Sequence, residues 1–392
     1  MNFNQKLAAV FSLIAIVCQF EAQADDAQLR NLESRVSALE ARRNPCMVNP
    51  PARPTQKCDF GGYISIDPLL LKAQENGLEF ATVTQNGGQL TATTNSNFLA
   101  GRTKAKNLHF EWDWGFRLTL GANLEHDGWE AYLTWTRFWT DAHRHVAANS
   151  AQFLTPTFLN DEVGAAATFT GPAAQTQGLL TASQSNWKLH YNALNLEGAR
   201  EFFVSKWLVF KPHGGLTTAW IRQKDALSYT GFEPPVVGGG TNPNPVTSAS
   251  VRMKNNFWGI GLRFGLETQW GIACGWSLFG DASASLMYGY FNINHTESDV
   301  LVSGLVNNPL YRFNNFYHVE RFITDFMAGV RYDYMFCCER YHLGFQLAWE
   351  HHMFFGQNQF PKFPASQFPG LFVANQGDLS LQGFSMQVRF DF

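Results

Sequence analysis

Beyond its first twenty residues the sequence has no apolar run long enough for a membrane-spanning helix, which needs about 20 consecutive apolar residues. It also has few charged residues, 16%, and a net charge of −3. Because a nucleic-acid-binding surface needs a basic excess, this balance argues against nucleic acid as a partner. Aromatic residues, at 15%, are unusually frequent for a chain with so few charges. Two classes remain open, a soluble exported β-protein and a membrane β-barrel.

Catalytic and cofactor-binding motifs are missing as well. The sequence has no Gly-x-Ser-x-Gly elbow, no His-Glu-x-x-His helix and no Gly-rich phosphate loop. No group of Cys and His residues has the spacing of metal ligands. The adjacent pair His351 and His352 ends a predicted strand, which favours an interfacial position over a metal site. We therefore expect no enzyme activity, no cofactor and no metal.

Residues 1–24 have the pattern of a secretory signal peptide. Lys6 precedes an apolar run from Leu7 to Phe20, and Ala22-Gln23-Ala24 supplies a small-x-small cleavage site. The run is too short to span a bilayer as a helix. The sequence therefore predicts export.

Residues 25–43 have a helical period instead. Four apolar residues follow the spacing of the a and d positions of a heptad: Leu29, Leu32, Val36 and Leu39. Two heptads are marginal as a free coiled coil, so we expect self-association only where neighbouring domains already assemble. A solvated amphipathic helix is the alternative. Residues 44–58 then form a Pro-rich, extended linker.

From residue 59 onward the dominant pattern is a period of two, which places apolar and polar side chains on opposite faces of a strand. Residues 108–121 show it most clearly, with seven apolar residues from Leu108 to Leu120 alternating with polar or small ones. Residues 322–336, 341–350 and 384–392 show it as well. Weaker versions, some with expected bulges such as one at 192–194, cover 60–73, 128–140, 187–202, 207–222, 254–268 and 275–291.

The connections between these ten predicted strands alternate between short and long. Those near 123–127, 203–206, 269–275 and 337–340 are tight, whereas 74–106, 141–186, 223–251, 292–320 and 355–377 are long and polar or rich in Gly and Pro. Outer-membrane barrels have this asymmetry, with short periplasmic turns and long external loops. Residues 59–392 are therefore predicted to form an all-β, antiparallel transmembrane barrel of ten strands, or twelve if 74–106 or 141–186 hides a further hairpin.

The chain ends on an aromatic residue of its last strand, Phe392. A terminal Phe in this place is typical of bacterial outer-membrane barrels, in which the assembly machinery reads it. We therefore take Phe392 as the candidate assembly signal. With an even number of strands, both the N- and the C-terminus of the barrel would lie in the periplasm.

Five cysteines follow the signal peptide, and all are predicted at the periplasmic side. They precede the first strand or lie at tight turns: Cys46, Cys58, Cys274, Cys337 and Cys338. The periplasm is oxidising, so these residues are disulfide candidates, although their odd number leaves at least one thiol free or paired between chains.

Alternation also assigns a charged set to the inside of the barrel. This pore-lining set contains both signs with an acidic excess: Glu111, Asp113, Arg117, Glu130, Lys188, His190, Arg263, Glu267, Asp281, Asp325, Arg331, Asp333, Glu350 and Arg389, followed by Asp391. Either these charges line a water-filled pore that biases ion passage, or they pair across a plugged lumen and hold the barrel in shape.

Several stretches together resemble the pore-forming major outer membrane protein family of Legionella and chlamydia-like bacteria. They are the signal with its short heptad helix, Gly61-Gly62-Tyr63, 112–117, 201–208, 255–261 and the terminal strand. Each is a structural signature, and none is catalytic. The resemblance implies an abundant, disulfide-linked porin of the outer membrane, with a trimer as the favoured assembly.

We therefore expect an outer-membrane porin for passive diffusion of small hydrophilic solutes and ions, without a cofactor. Its expected partners are outer-membrane lipid, the barrel assembly machinery and further copies of itself. One alternative is a structural or adhesive barrel with a closed lumen, which would act through its external loops. The other is a barrel enzyme, which would need His, Ser or acidic groups gathered at the external rim, and the sequence does not display them.

Overall fold

The computed structural model describes residues 61–85, 102–124, 128–149, 152–159, 180–231, 246–273, 275–301, 303–337, 341–362 and 372–392. The predicted signal peptide, heptad helix and linker lie outside these ranges, so they stay predictions. No helix in the described ranges is long and apolar enough to cross a membrane.

Ten long strands form the wall of the fold. They are β1 (Gly61–Glu75), β4 (Trp112–Asn123), β5 (Trp129–Ala147), β7 (Ala182–Arg200), β9 (Leu208–Thr230), β10 (Val246–Ala273), β11 (Trp276–Leu301), β12 (Val306–Phe336), β13 (Tyr341–Asn358) and β16 (Gly377–Asp391). The short strands are β2 (Ala81–Gln85), β3 (Arg102–Lys106), β6 (Gln152–Pro156), β8 (Phe202–Ser205), β14 (Pro361–Lys362) and β15 (Val373–Ala374).

Each wall strand pairs antiparallel with two neighbours, and the order returns to its start through the pairing of β9 with β10. Following paired residues once around the wall leads from Tyr63 on β1 back to Glu75 on the same strand, a displacement of twelve residues. For ten strands this displacement implies a strand tilt of about 40° and a backbone radius of about 10 Å. The interior is therefore narrow enough for side chains from opposite walls to meet.

The outer face of the wall carries a continuous apolar band. Its exposed members include Ile66, Trp114, Leu133, Leu196, Leu216, Ile260, Leu262, Phe264, Leu286, Phe326, Leu347, Phe384 and Met386. Exposed aromatic residues border the band at both ends, for example Trp270 and Trp276 near the chain termini and Trp258 and Tyr288 at the far end. From Trp258 to Trp270 the tilted strand rises about 30 Å, close to the height of the apolar band of outer-membrane barrels with its aromatic girdles.

The inner face changes character along the barrel. Near the chain termini it is polar, and toward the far end it becomes a buried apolar core. At the far end, β2, β3 and β6 form a separate three-stranded sheet, named the cap here. The Tyr229 hydroxyl on β9 donates to the Phe80 carbonyl beside the cap at 3.0 Å.

All ten predicted strands are present, but most are longer than the alternation indicated, and the extensions lie mainly at the far end. The sequence predicts a long loop over 292–320, yet β11 continues to Leu301 and β12 begins at Val306. The expected start at 108 was early, since β4 begins at Trp112. The sequence left room for a further wall hairpin in 74–106 or 141–186. The described short strands of these segments, β2, β3 and β6, form the cap and add no strand to the wall.

Candidate functional site

Eleven of the fourteen predicted pore-lining residues lie on the inner face of the wall. They are Asp113, Arg117, Glu130, Arg263, Glu267, Asp281, Asp325, Arg331, Asp333, Glu350 and Arg389. Asp391 lies on the same face. Their side chains are all partly or fully buried, because each strand turns every second residue toward the narrow interior.

The other three predicted residues are not on the inner face. Glu111 is exposed and precedes β4, whereas Lys188 and His190 are exposed on the outer face of β7. The predicted bulge at 192–194 does not occur, since β7 pairs with β5 in unbroken register through this region. Trp187 and Leu189 therefore point inward and are fully buried, although their apolar character had suggested contact with lipid.

The polar part of the lumen contains a cavity of about 180 Å³, named the chamber here. Tyr63 and Arg389 line it near the chain termini, and Leu71 and Leu381 line it toward the far end. A volume of this size holds on the order of ten water molecules. The chamber is thus a polar space for several water molecules, and it lies inside the part of the wall that carries the apolar outer band.

Arg117 on β4 contacts residues of three other wall strands at the chamber. Its guanidinium donates to both carboxylate oxygens of Glu350, with Nη2 at 3.2 Å from Oε1 and 3.0 Å from Oε2. Its Nη1 lies 3.7 Å from Oδ2 of Asp67, and its Nε donates to the Thr136 hydroxyl at 3.3 Å. One terminal nitrogen thus contacts both carboxylate oxygens, and the group as a whole ties β1, β4, β5 and β13 together across the lumen.

A second group occupies the end of the chamber near the termini. The Lys211 ammonium and the Tyr63 hydroxyl both donate to the carboxylate of Glu130. The Arg389 guanidinium stacks on the Tyr63 ring at 3.6 Å and donates to Asp391 at 2.6 Å. Cation and ring attract each other strongly where water is excluded. The ring also covers Gly121, where a Cβ would lie 2.2 Å from Tyr63.

Three histidines bridge carboxylates. His213 Nδ1 lies 2.5 Å from Oε2 of Glu197, and its Nε2 lies 2.9 Å from Oδ2 of Asp281. Gly265 makes room for this ring, because a Cβ there would lie 2.3 Å from Nε2. His342 joins Asp333 and Asp391 in the same manner, and His352 joins Asp325 and Glu350.

Two further inner arginines are paired with carboxylates. Arg263 contacts Asp325 and lies 3.3 Å from Oε1 of Glu197, and Arg331 Nη2 lies 3.0 Å from Oε1 of Glu267. Buried charges are tolerated only when paired and hydrogen-bonded, so the network lets a narrow interior hold both signs. In the described part of the chain, no group of His, Cys, Asp and Glu has the arrangement of a metal site.

Buried apolar side chains close the chamber toward the far end. This apolar layer comprises Leu71, Phe138, Trp187, Leu189, Ile221, Phe257, Met287, Phe291, Ile323, Phe354, Leu379 and Leu381, all 4% exposed or less. The rings of Phe257 and Phe291 pack with centroids 4.8 Å apart. The layer belongs to the same cluster of buried apolar side chains as the cap residues Ala81, Val83 and Leu154.

Polar residues return beyond the apolar layer. Gln223 Nε2 donates to Oε1 of Glu75 at 2.8 Å, and the Ser185 hydroxyl donates to Oδ1 of Asp225 at 2.8 Å. Asn255 donates to the Gln357 carbonyl at 2.8 Å. The lumen is thus polar, then apolar, then polar along the barrel axis.

Sequence reasoning missed several members of the network. They are Asp67, Glu197, Lys211, His213, His342 and His352, which all line the inner face. Asp67 and Glu197 could have been predicted from the sequence, since each lies an even number of residues from buried residues of its own strand. His213 has a weaker signal, because the Gly-rich stretch that follows it hides the alternation in β9.

Of the disulfide candidates, only Cys337 lies within the described ranges. It is exposed and unbridged at the turn after β12, with a positive φ of 51°. Cys46, Cys58, Cys274 and Cys338 lie outside those ranges, so the predicted disulfides stay predictions.

Comparison with solved structures finds other outer-membrane proteins. The outer membrane protease OmpT of Escherichia coli is 10% identical, with 86% of this chain and 98% of that chain covered and a TM-score of 0.39. A major outer membrane protein of Thermus thermophilus is 9% identical, with 84% and 99% covered and a TM-score of 0.26. OprG of Pseudomonas aeruginosa is 10% identical, with 85% and 99% covered and a TM-score of 0.24. Scores this low carry no information about function.

None of the curated proteins compared with this chain matches it. One family model matches, described as the Legionella pneumophila major outer membrane protein precursor, over residues 54–392. The match covers the whole described wall, with its apolar outer band and its polar chamber. This chain therefore belongs to the Legionella major outer membrane protein family.

Proposed function

We propose that this protein is a narrow outer-membrane porin for small ions and small hydrophilic solutes, and that the apolar layer is its constriction. The observation that carries the proposal is the chamber, a polar cavity of about 180 Å³ lined by charges of both signs inside the lipid-facing part of the wall. Charged rings bias which ions enter a pore, and an apolar constriction gates by excluding water. In the described conformation the layer separates the chamber from the polar residues beyond it.

The constriction consists of side chains, so the lumen can open without unfolding of the wall. No wall strand crosses the lumen at the apolar layer, since each pairs along the ring with its two neighbours. Rotation of a few large side chains, Trp187 and Phe291 foremost, would join the two polar regions. The expected passage admits hydrated ions and excludes large sugars, because the backbone radius is only about 10 Å.

The proposed orientation places both chain ends in the periplasm. Short turns lie at that end, and the cap and the extended hairpins lie at the other. The amides of Gly62 and Phe392 donate to each other's carbonyls at 3.0 and 2.9 Å. Phe392 is thereby fixed by β1 with its ring exposed, as a signal read by the assembly machinery requires. Assembly into a trimer and disulfide linkage remain part of the proposal.

The test is the permeability of proteoliposomes that contain the refolded mature protein. We expect potassium and chloride to equilibrate faster than in empty liposomes, and a trisaccharide to stay excluded. Insertion is established by the heat-modifiable gel shift of the folded barrel. Inserted protein that leaves ion flux at the level of empty liposomes would contradict the porin function.

A second function is favoured by one specific observation, the complete burial of side chains in the apolar layer. Trp187, Leu189, Ile221 and Phe291 have no exposed surface, and the layer is continuous with the buried cluster of the cap. A barrel that stays closed would serve as a structural or adhesive protein acting through its far end. The liposome experiment separates the two functions.

A further inference from the structure

Three lysines lie directly opposite one another on the outer face of neighbouring wall strands. Lys224 on β9 pairs with Lys188 on β7 and with Lys254 on β10, and all three side chains are exposed. Directly opposed side chains have Cβ atoms roughly 5 Å apart, at which like charges destabilise the sheet. This lysine row therefore weakens the wall unless an external anion lies between the ammonium groups.

The described residues around the lysine row supply little compensation. Asp141 opposes Lys188 at one end of the row, and Asn294 opposes Lys254 at the other. In the described ranges, the lysines that form ion pairs within 4 Å are Lys211 and Lys362, neither of which belongs to the row.

Two arginines enlarge this positive surface. Arg222 precedes Lys224 by two residues on the outer face of β9, and Arg252 precedes Lys254 by two residues on β10. Both are on the outer face of their strands. The lysine row and these arginines thus place five cations on the outer face of neighbouring strands. Among the described residues, Asp141 is the one carboxylate directly opposite a member of the row.

The position of the row relative to the apolar band identifies what it meets. Lys224 and Lys254 lie four residues beyond Trp220 and Trp258, which oppose each other at the far border of the band. Four residues correspond to about 13 Å along the strand and about 10 Å along the barrel axis. This is the depth at which lipid headgroups lie above the acyl chains, and indole rings mark that boundary.

We infer that the lysine row, with Arg222 and Arg252, binds the phosphates of a phosphorylated glycolipid of the outer leaflet, with the lipid's acyl chains on Trp220 and Trp258. Charge complementarity and continuity with the apolar band select a lipid over a soluble anion, because a free phosphate would gain nothing from the indoles. The inference rests on the proposed orientation, in which the far end of the barrel lies outside the cell.

The probe is purified diphosphorylated lipid A added to the refolded mature protein in detergent. We expect it to raise the temperature at which the heat-modifiable band is lost. Dephosphorylated lipid A and inorganic phosphate at the same concentration should each raise it much less. In the triple variant Lys188→Gln, Lys224→Gln and Lys254→Gln, the lipid A effect should disappear. Lys206→Gln is the matched control, since this exposed lysine adjoins Trp207 at the opposite end of the barrel.

A second variant separates binding from general stability. Lys224→Glu converts the row to alternating signs, so it should raise the melting temperature without lipid A and lower the apparent affinity for lipid A at least about tenfold. Equal lipid A effects in wild type and the triple variant would overturn the inference, as would an effect of inorganic phosphate as large as that of lipid A. A wild-type protein that conducts ions but shows no lipid A effect would fault this inference alone, whereas absent ion flux would fault the porin function.

Discussion

At the scale of single residues, the chamber is organised by partners that face each other across strands. Glu130 shows this most clearly, because it is 4% exposed and accepts from both Lys211 and Tyr63. A buried carboxylate in a narrow lumen is stable only while such donors remain. The pairs therefore fix the shape of the chamber as well as its charge.

Replacing Lys211 with Met should lower the free energy of unfolding by about 3 kcal/mol, because Glu130 then keeps its charge without its ammonium partner. Urea unfolding in lipid vesicles measures the loss. The double variant Lys211→Met and Glu130→Gln should recover most of it, since neither charge remains. A double variant as unstable as the single one would show that the charge pair of Lys211 with Glu130 is not what stabilises this wall.

At the scale of elements, the period of two predicted the strands well and the inward face of most of them, but it assigned the wrong face of β7 to the lumen. Along β10 the outer face is apolar from Trp258 to Trp270 apart from Thr268, so alternation and burial agree. Along β7 both faces carry apolar residues, because Trp187 and Leu189 fill the lumen while Leu194 and Leu196 face outward. Alternation therefore gave the wrong face for Lys188 and His190. The bulge that would have turned them inward does not occur in β7.

Strand ends were the other weak point, for a related physical reason. Beyond the apolar band the outer face becomes polar, as at Arg222 and Lys224, so both faces of β9 carry polar residues and the contrast fades. The strand nevertheless continues to Thr230, because its hydrogen bonds to β7 and β10 need no apolar face. The ion pairs across the lumen could not be predicted from the sequence, since they depend on the register among all ten strands.

The depth of the apolar band leads to a prediction on two matched outer-face positions. Leu262→Arg lies in the middle of the band and should cost about 2 to 4 kcal/mol, whereas Ser228→Arg lies well beyond Trp220, opposite the neutral Ser250 and Gln184, and should cost less than about 1 kcal/mol. Urea titration of both variants in lipid vesicles measures the difference. Equal costs would mean that the wall does not sit in the bilayer at the proposed height.

At the scale of the whole molecule, ten strands with a twelve-residue displacement make a barrel that side chains can close. The chamber and the apolar layer divide its lumen, and the family match places the molecule among major outer membrane proteins. Under the proposed function, conduction depends on whether the apolar layer opens, since the chamber already has room for several water molecules. The layer is thus the feature on which the proposed function rests.

Conductance in planar bilayers tests this dependence most directly. The layer variant Trp187→Ala and Phe291→Ala should pass severalfold more current per inserted barrel than wild type, because removing two large rings joins the chamber to the polar residues beyond. The control Phe345→Ala and Trp349→Ala removes two aromatic rings from the outer face and should conduct like wild type. A layer variant that inserts with the normal heat-modifiable shift, yet passes no more current than this control, would contradict the account and leave a closed structural barrel.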